Sequence, residues 1–537
     1  MTDPTGFLAK FRKLAGRLNP FPDSARPLFR PTPAELAIWL LFASVTLLMV
    51  WYHEPWRDEA QGYLVVRDTT LTELILHMKY ESQFLLWYLL TWLLVRLCGV
   101  TIFGLNLLHW AVSCCTAFLV LRRAPFRLLT RAALIFTVLF AFEFTVVTRH
   151  YAIGVLLLTI LMVNWNERFR HPVLFATGIA VCASANLPVW VCLGGICITI
   201  AYEVNARRLW TRPVICAILI AFFGFVLAMA EIYNWRGGFG SPYVSYRGDQ
   251  VAGFVLAKRL QDVFGATANL IHLPAWMCPV CFLAGALYFA WKSIPAFGCY
   301  LVSSFLMFSL QFIGGFHSMR HTGFLLLGVV VSCWIAAEDD TAPSGYLSRM
   351  PKRAAACIAA AAWCTAAVLL FLQCVLTPFF VWMEVKYPFS HGRATALFIR
   401  DNIPEDVPMF CFTARSNVTV LPWLPGREFF IFDRMEMGTY SKWGRAFGLS
   451  MEGMSVAAAS RLPPEHRYGL FVVAMNELPT LFPPNMIKLY DSRENEPRVW
   501  GPYVEEFLVF AVVREEDTSL YRPRFPRIHR SYMPDGL

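Results

Sequence analysis

The sequence predicts a polytopic α-helical membrane protein with a C-terminal α/β domain. Three observations predict it. Of the 537 residues 57% are hydrophobic and 16% charged, whereas a soluble protein of this size carries about 25% charge; mean hydropathy is +0.49. About twelve apolar runs of roughly 16–24 residues follow one another, the length a helix needs to cross a bilayer. From Lys386 on these runs stop, and short strand-like and helix-like segments alternate. The chain divides into a leader (1–33), a membrane domain (34–377) with a first external loop at 53–103, and an external α/β domain (378–537).

The leader carries Lys10, Arg12, Lys13, Arg17, Arg26 and Arg30. It lacks a short apolar core with a small-residue cleavage site, so it reads as a retained cytoplasmic segment. Net charge is +10. Much of that excess lies in short loops between apolar runs, which points to membrane orientation and not to nucleic-acid binding. Most of the 15 cysteines lie inside apolar runs, where a thiol serves as a small apolar filler. Cys278 and Cys281 have CxxC spacing but no second pair, and Cys411 stands alone in the last 160 residues, so that region has no internal disulfide.

The apolar runs are 34–52, 83–98, 104–121, 132–148, 151–165, 172–187, 188–203, 213–233, 274–291, 294–313, 321–337 and 354–377. Short basic loops mark the cytoplasmic side. These are the leader, 122–131, 166–171, 204–212 and 349–353, and they fall on one side only if the run 83–98 does not span. That run is short, aromatic near its start and ends near Arg96, which suits a re-entrant or interface-lying helix. The expectation is about eleven spans plus juxtamembrane helices in an inner (plasma) membrane, N-terminus cytoplasmic and C-terminal domain periplasmic or external. The polar clusters then share the external face, and no internal repeat is evident.

In the C-terminal region 391–402 and 451–460 read as helices. Pro408–Phe412, Glu428–Asp433, Tyr468–Ala474, Met486–Tyr490 and Glu506–Val513 read as strands. No Gly-rich phosphate loop accompanies them, so the sequence gives no sign of nucleotide binding.

Three polar clusters carry the chemistry. Directly after the first span the chain reads His53-Glu54-Pro55-Trp56-Arg57-Asp58-Glu59, and two adjacent carboxylates that close to a bilayer are costly unless used. The second cluster is Glu143 to Tyr151, in which Glu143 and His150 are seven apart and fall on one face of a predicted helix, with Arg149 or His150 as partner for the acid. The third is Arg320-His321-Thr322-Gly323 at the start of a late span.

An Asp-Glu pair in the first external loop, an Arg-containing segment in the middle of the membrane domain and a late Arg-His pair resemble the membrane glycosyltransferases of the GT-C fold. That group includes protein O-mannosyltransferases and lipid A aminoarabinose transferases, which draw sugars from polyprenyl-phosphate donors. The resemblance covers the layout of roughly 34–337. It implies that Asp58, with Glu59 beside it, is the general base that takes the proton of an acceptor hydroxyl. It also implies that Arg320 and His321 hold the donor phosphate, since a guanidinium grips phosphate oxygens in pairs; Arg149, Tyr151, Lys258 and Arg259 are further candidates for that site. His53, Glu54, Glu81, Glu143 and His150 are candidates for acceptor contact or for supporting the base.

Where metal-using oligosaccharyltransferases carry an acidic pair after the comparable Arg segment, this chain reads Ala152-Ile153-Gly154-Val155. The expectation is therefore a metal-independent enzyme with no cofactor. Its partners would be the polyprenyl-phosphate-linked sugar, a glycan, lipid or protein acceptor, and membrane lipids. Many relatives carry His-Pro-Pro-Leu where this chain has Ser82-Gln83-Phe84-Leu85, so acceptor specificity does not carry over. The rival readings are a transporter or flippase of lipid-linked glycans and a scaffold subunit of an envelope polysaccharide system. Transporters often show internal repeats and midplane ionisable residues, whereas here the charges crowd at one face.

Overall fold

Eleven of the twelve apolar runs form continuous helices, and one does not. A computed structural model of the chain describes residues 31–81, 83–232, 277–314, 318–339, 344–413, 417–432, 434–442, 451–474, 482–500 and 505–514. Among these, seven helices are long and apolar enough to cross a membrane: Pro33–Tyr52, Ile102–Arg123, Val189–Ala206, Arg212–Glu231, Ile294–Phe312, Met319–Glu338 and Lys352–Lys386. The protein is thus an α-helical integral membrane protein. Four further apolar helices are shorter: Leu85–Cys98, Tyr151–Val163, Pro172–Ala183 and Met277–Lys292. At about 1.5 Å rise per residue, their 12 to 16 residues reach roughly 18–24 Å, less than the ~30 Å hydrocarbon core.

Two expectations are corrected. The run 132–148 is not one helix; Leu128–Ile135 is followed by a π turn at Leu139–Glu143 and then by irregular turns. Irregular backbone inside a membrane must find partners in the protein. The neighbouring Ile102–Arg123 helix supplies them from His109 and Ser113, and its Asn106 holds the Thr148 side chain; the three fall on one face at three- and four-residue spacing. The His109 ring reaches the carbonyls of Thr145 (3.1 Å) and Arg149 (3.0 Å). Ser113 Oγ donates to the Phe144 carbonyl at 2.6 Å, and Thr148 Oγ1 to Asn106 Oδ1 at 2.8 Å. The last apolar helix also overruns its expected end at 377, continuing through Pro378 to Lys386 for 35 residues in all.

The chain forms two compact units. The first comprises Met1–Leu48, Ser82–Trp87 and Asn106–Val381; the second comprises Met49–Glu81, Tyr88–Leu105 and Trp382–Leu537. The first is the helical bundle. Its helices approach closely where side chains are small. At Gly195 an added Cβ would lie 2.8 Å from the Cys299 carbonyl oxygen, so the Val189–Ala206 and Ile294–Gly314 helices need that glycine.

Within this unit the first two long helices run antiparallel. Glu35 pairs with Arg122 and, at 3.0 Å, with Arg131. Further along, Trp39 Nε1 donates to the Cys114 carbonyl (2.9 Å) and Trp110 Nε1 to Thr46 Oγ1 (3.0 Å). The start of the Pro33–Tyr52 helix and the end of the Ile102–Arg123 helix therefore share one side, and the segment between them makes no net crossing. The 14-residue Leu85–Cys98 helix fits that count as a non-spanning element. We expect an impermeant maleimide to label a cysteine placed at Asp58 from outside, and one at Arg123 only after permeabilisation, in a background freed of the exposed cysteines 98, 115, 216 and 357. External labelling at 123 would reverse the orientation.

The second unit is built on a six-stranded sheet in the order β3-β2-β1-β4-β6-β5. Its strands are β1 Met409–Cys411, β2 Phe429–Ile431, β3 Glu436–Gly438, β4 Tyr468–Ala474, β5 Met486–Asp491 and β6 Phe507–Val513. Strand β1 lies parallel to β2 and β4; the other pairs are antiparallel, with Tyr468 opposite Val513 and Ala474 opposite Phe507. The sequence pattern anticipates five of these strands and misses β3, a short edge. Side chains alternate between two apolar layers, as the period of a strand requires. Leu470, Val472, Phe507 and Val509 face one layer, which also contains Ala396 and Ile399 of the Gly392–Asn402 helix and Ala60 and Leu64 of the Arg57–Asp68 helix. Phe471, Val473, Phe510 and Val512 face the other, against Met454 and Ala458 of the Met451–Ser460 helix.

Candidate active site

Asp58 and Glu59 occupy the first turn of the Arg57–Asp68 helix, where acidic groups favour the unpaired N–H groups and the positive end of the helix dipole. The two carboxylates have different surroundings. Glu59 Oε2 turns back to accept the Trp56 N–H at 3.1 Å. This is half of a capping box; the reciprocal half needs an acceptor that an indole lacks. The same oxygen lies 2.9 Å from His53 Nε2, while His53 Nδ1 lies 2.6 Å from Glu384 Oε1. Burial works against charge on His53, but Glu59 and Glu384 outweigh it and push its pKa up to about 10. His53 is thus clamped between two carboxyl groups, one at each ring nitrogen. Glu59 is consumed by this clamp, with a side chain 1% exposed, whereas the Asp58 side chain is 20% exposed and has Arg57 Nε 3.4 Å away.

Glu54 lies beside this clamp. Burial pushes its carboxyl up to about 7, against the pull of Arg393. Its Oε2 is buried with no hydrogen-bond partner among the described residues. Glu81 is enclosed: it accepts from Gln61 Nε2 at 2.7 Å and from Tyr88 Oη at 3.2 Å, and lies 2.9 Å from His77 Nε2. Gln61 also exchanges hydrogen bonds with the backbone of Ser441, at 2.7 and 2.8 Å.

The helical unit holds the second group. Tyr151 begins the Tyr151–Val163 helix, and His321 lies in the first turn of the Met319–Glu338 helix. They are 170 positions apart, yet Tyr151 Oη and His321 Nε2 meet at 2.7 Å. The other ring nitrogen of His321 lies 2.7 Å from Ser318 Oγ. Ser318 is the N-cap residue, and its hydroxyl serves the imidazole instead of the helix backbone. Arg320, next to His321, is 7% exposed. Gly323, one turn on, leaves room for the Leu139 side chain of the π turn.

Of the remaining candidates, Glu143 ends the π turn and His150 precedes the next helix, so the two do not share a helical face. The reason is the irregular backbone between them, held by His109 and Ser113. The buried His150 ring packs on Tyr151 at 4.2 Å, and the Arg149 carbonyl faces His109. Lys258 and Arg259 lie outside the described residues. Among the described residues, no three or more His, Cys, Asp or Glu side chains gather as a metal would require.

Sequence reasoning missed Glu384 and Glu505, and gave Ser318, which it placed on the external face, no role of its own. Glu384 carried a legible signal as the only carboxylate of its 35-residue helix. Glu505 carried none: its carboxylate accepts the Arg57 N–H at 2.9 and 3.2 Å across 448 positions.

No family profile and no curated protein sequence matches the chain. Seven chains of solved structures do. One is ArnT from Cupriavidus metallidurans in the apo state, at 12% identity and TM-score 0.46, covering 89% of this chain and 98% of that one. Another is the same protein bound to undecaprenyl phosphate, at 13% identity and TM-score 0.42, covering 96% and 99%. At these values the likeness transfers no residue's role to this chain.

Proposed function

We propose that this protein is a membrane glycosyltransferase that moves a sugar from a polyprenyl-phosphate donor to a hydroxyl of a lipid-linked glycan, lipid or protein acceptor at the external face. The observation that carries this reading is the meeting of Tyr151 and His321 at 2.7 Å beside buried Arg320. A buried arginine beside a hydrogen-bonded tyrosine–histidine pair in a membrane domain is a functional-site candidate, and the chemistry of this set suits a phosphate.

In the proposed step an acceptor oxygen attacks the anomeric carbon while Asp58 takes its proton. The bond between that carbon and the phosphate oxygen breaks, and its electron pair leaves with the polyprenyl phosphate. Arg320 holds the charge that develops there, the task for which a fixed guanidinium is suited. Tyr151 and His321 orient the phosphate through a hydroxyl and an imidazole that already fix each other. A single displacement of this kind inverts the anomeric centre.

The test is turnover. Purified protein is mixed with a lipid extract of its own cell's membranes, and release of free polyprenyl phosphate is followed by mass spectrometry. Release that depends on the protein is expected, and it should persist in EDTA. No release from the extract would remove the reading with a lipid or lipid-linked acceptor, and no release after adding the membrane proteins as well would remove the enzymatic reading. Loss in EDTA, restored by a divalent ion, would overturn metal independence and make Glu59 or Glu143 a candidate ligand.

A further inference from the structure

We infer that Glu505, in the C-terminal α/β domain, is a positioning residue that aims Asp58. The inference rests on the reading of Asp58 as the base. It goes beyond that reading by giving the C-terminal domain a part in the chemical step.

The first amides of a helix have no partner within it. Here two carboxylates supply partners in succession. Glu59 holds the Trp56 N–H, and Glu505 holds the Arg57 N–H with both oxygens, at 2.9 and 3.2 Å. Asp58 is the next residue, so the direction of its side chain follows from how these two amides are pinned. Glu505 is itself held firmly. Its carbonyl accepts the His391 N–H at 2.9 Å, it is 5% exposed, and β6 begins two residues later at Phe507, whose N–H is held by Ser492 Oγ at 2.9 Å. A group fixed by a central strand is a better reference point than one on a mobile loop. Ala60 and Leu64, on the buried face of the Asp58 helix, pack into the same apolar layer as Phe507 and Val509. The helix itself packs against the Leu421–Trp423 turn, and its first amide, at Arg57, is the one that Glu505 takes. Burial pushes the Glu505 carboxyl up to about 8, against the pull of the Arg57 N–H and guanidinium, and in either protonation state a carbonyl oxygen remains to accept that amide.

The experiment is the polyprenyl-phosphate release assay run on single and paired variants. Displacing a catalytic group by about 1 Å costs up to ~10²-fold. We expect Glu505→Ala to lower the rate at saturating lipid extract by roughly 10- to 100-fold, with the half-saturating amount of extract unchanged. Glu505→Gln keeps an acceptor for the Arg57 amide and should restore the rate to within about threefold of wild type. In an Asp58→Asn background, Glu505→Ala should cost nothing further, because a residue that acts through Asp58 has nothing left to aim. If Glu505→Ala fails to fold, Glu505→Asp keeps the carboxyl group, shortens the reach and carries the same expectations. A wild-type rate in folded Glu505→Ala, or an equal loss with and without Asp58, overturns the inference while leaving the base in place. Full activity in Asp58→Asn overturns the base itself, and the positioning role with it.

Discussion

Asp58→Asn is expected to lower turnover by roughly 10²- to 10⁴-fold, the range for loss of a general base, while donor binding stays nearly intact. The substitution keeps the shape of the side chain and removes only its ability to take a proton. The structure separates this residue from its neighbour. The Glu59 side chain is 1% exposed and bound to His53, whereas the Asp58 side chain is 20% exposed. Glu59→Gln should therefore cost less turnover and more stability, since it weakens the clamp in which His53 joins Glu59 and Glu384 at 2.9 and 2.6 Å. Thermal unfolding read alongside turnover will separate the two. A normal melting temperature with lost activity is the expected signature of Asp58→Asn, and a lowered melting temperature with partial activity that of Glu59→Gln. Full turnover in Asp58→Asn would remove the proposed base.

Arg320→Ala is expected to weaken binding of undecaprenyl phosphate by about 2–4 kcal/mol, the scale for truncating one member of a buried, hydrogen-bonded charged pair. That is roughly a 30- to 900-fold rise in Kd. Lysine should rescue only part of the loss, because an ammonium is a point charge and cannot form the guanidinium's paired hydrogen bonds. Tyr151→Phe should cost less than Arg320→Ala, since it removes a neutral hydroxyl whose partner His321 keeps its second contact, to Ser318, at 2.7 Å. Equilibrium binding of fluorescent undecaprenyl phosphate to each variant in detergent measures this. An unchanged affinity in Arg320→Ala would place the phosphate elsewhere, with Arg149, Lys258 and Arg259 the remaining cationic candidates from the sequence.

How legible these features were follows from the range of the forces involved. The long apolar helices and five of the six strands announce themselves locally, because hydrophobic period and run length are properties of neighbouring residues. Strand β3, Glu436–Gly438, does not: a three-residue edge with half-buried and exposed side chains has no period to read. The break at 136–150 was invisible for a different reason. Its residues are apolar enough for a span, and the groups that meet the irregular backbone lie on another helix, at His109 and Ser113. The candidate site divides in the same way. Asp58, Glu59, Arg320 and His321 stood out because ionisable groups near a bilayer demand a reason. The pairing of Tyr151 with His321 across 170 positions, the clamp on His53 and the amide held by Glu505 depend on tertiary contacts that no local pattern encodes.

The hydrogen bond from Arg57 to Glu505 also sets a schedule for biogenesis. The Asp58 helix leaves the ribosome early, but the carboxylate that receives the Arg57 amide comes 448 positions later. At the usual ~5–20 residues per second of synthesis, the interval is roughly 20–90 s. Until then the first turn of that helix lacks the carboxylate that takes its Arg57 amide. A chain stopped anywhere before β6 would insert its spans and still lack a settled Asp58. Late truncations should therefore yield protein that is present in the membrane, readily cut by protease within residues 53–81, and inactive.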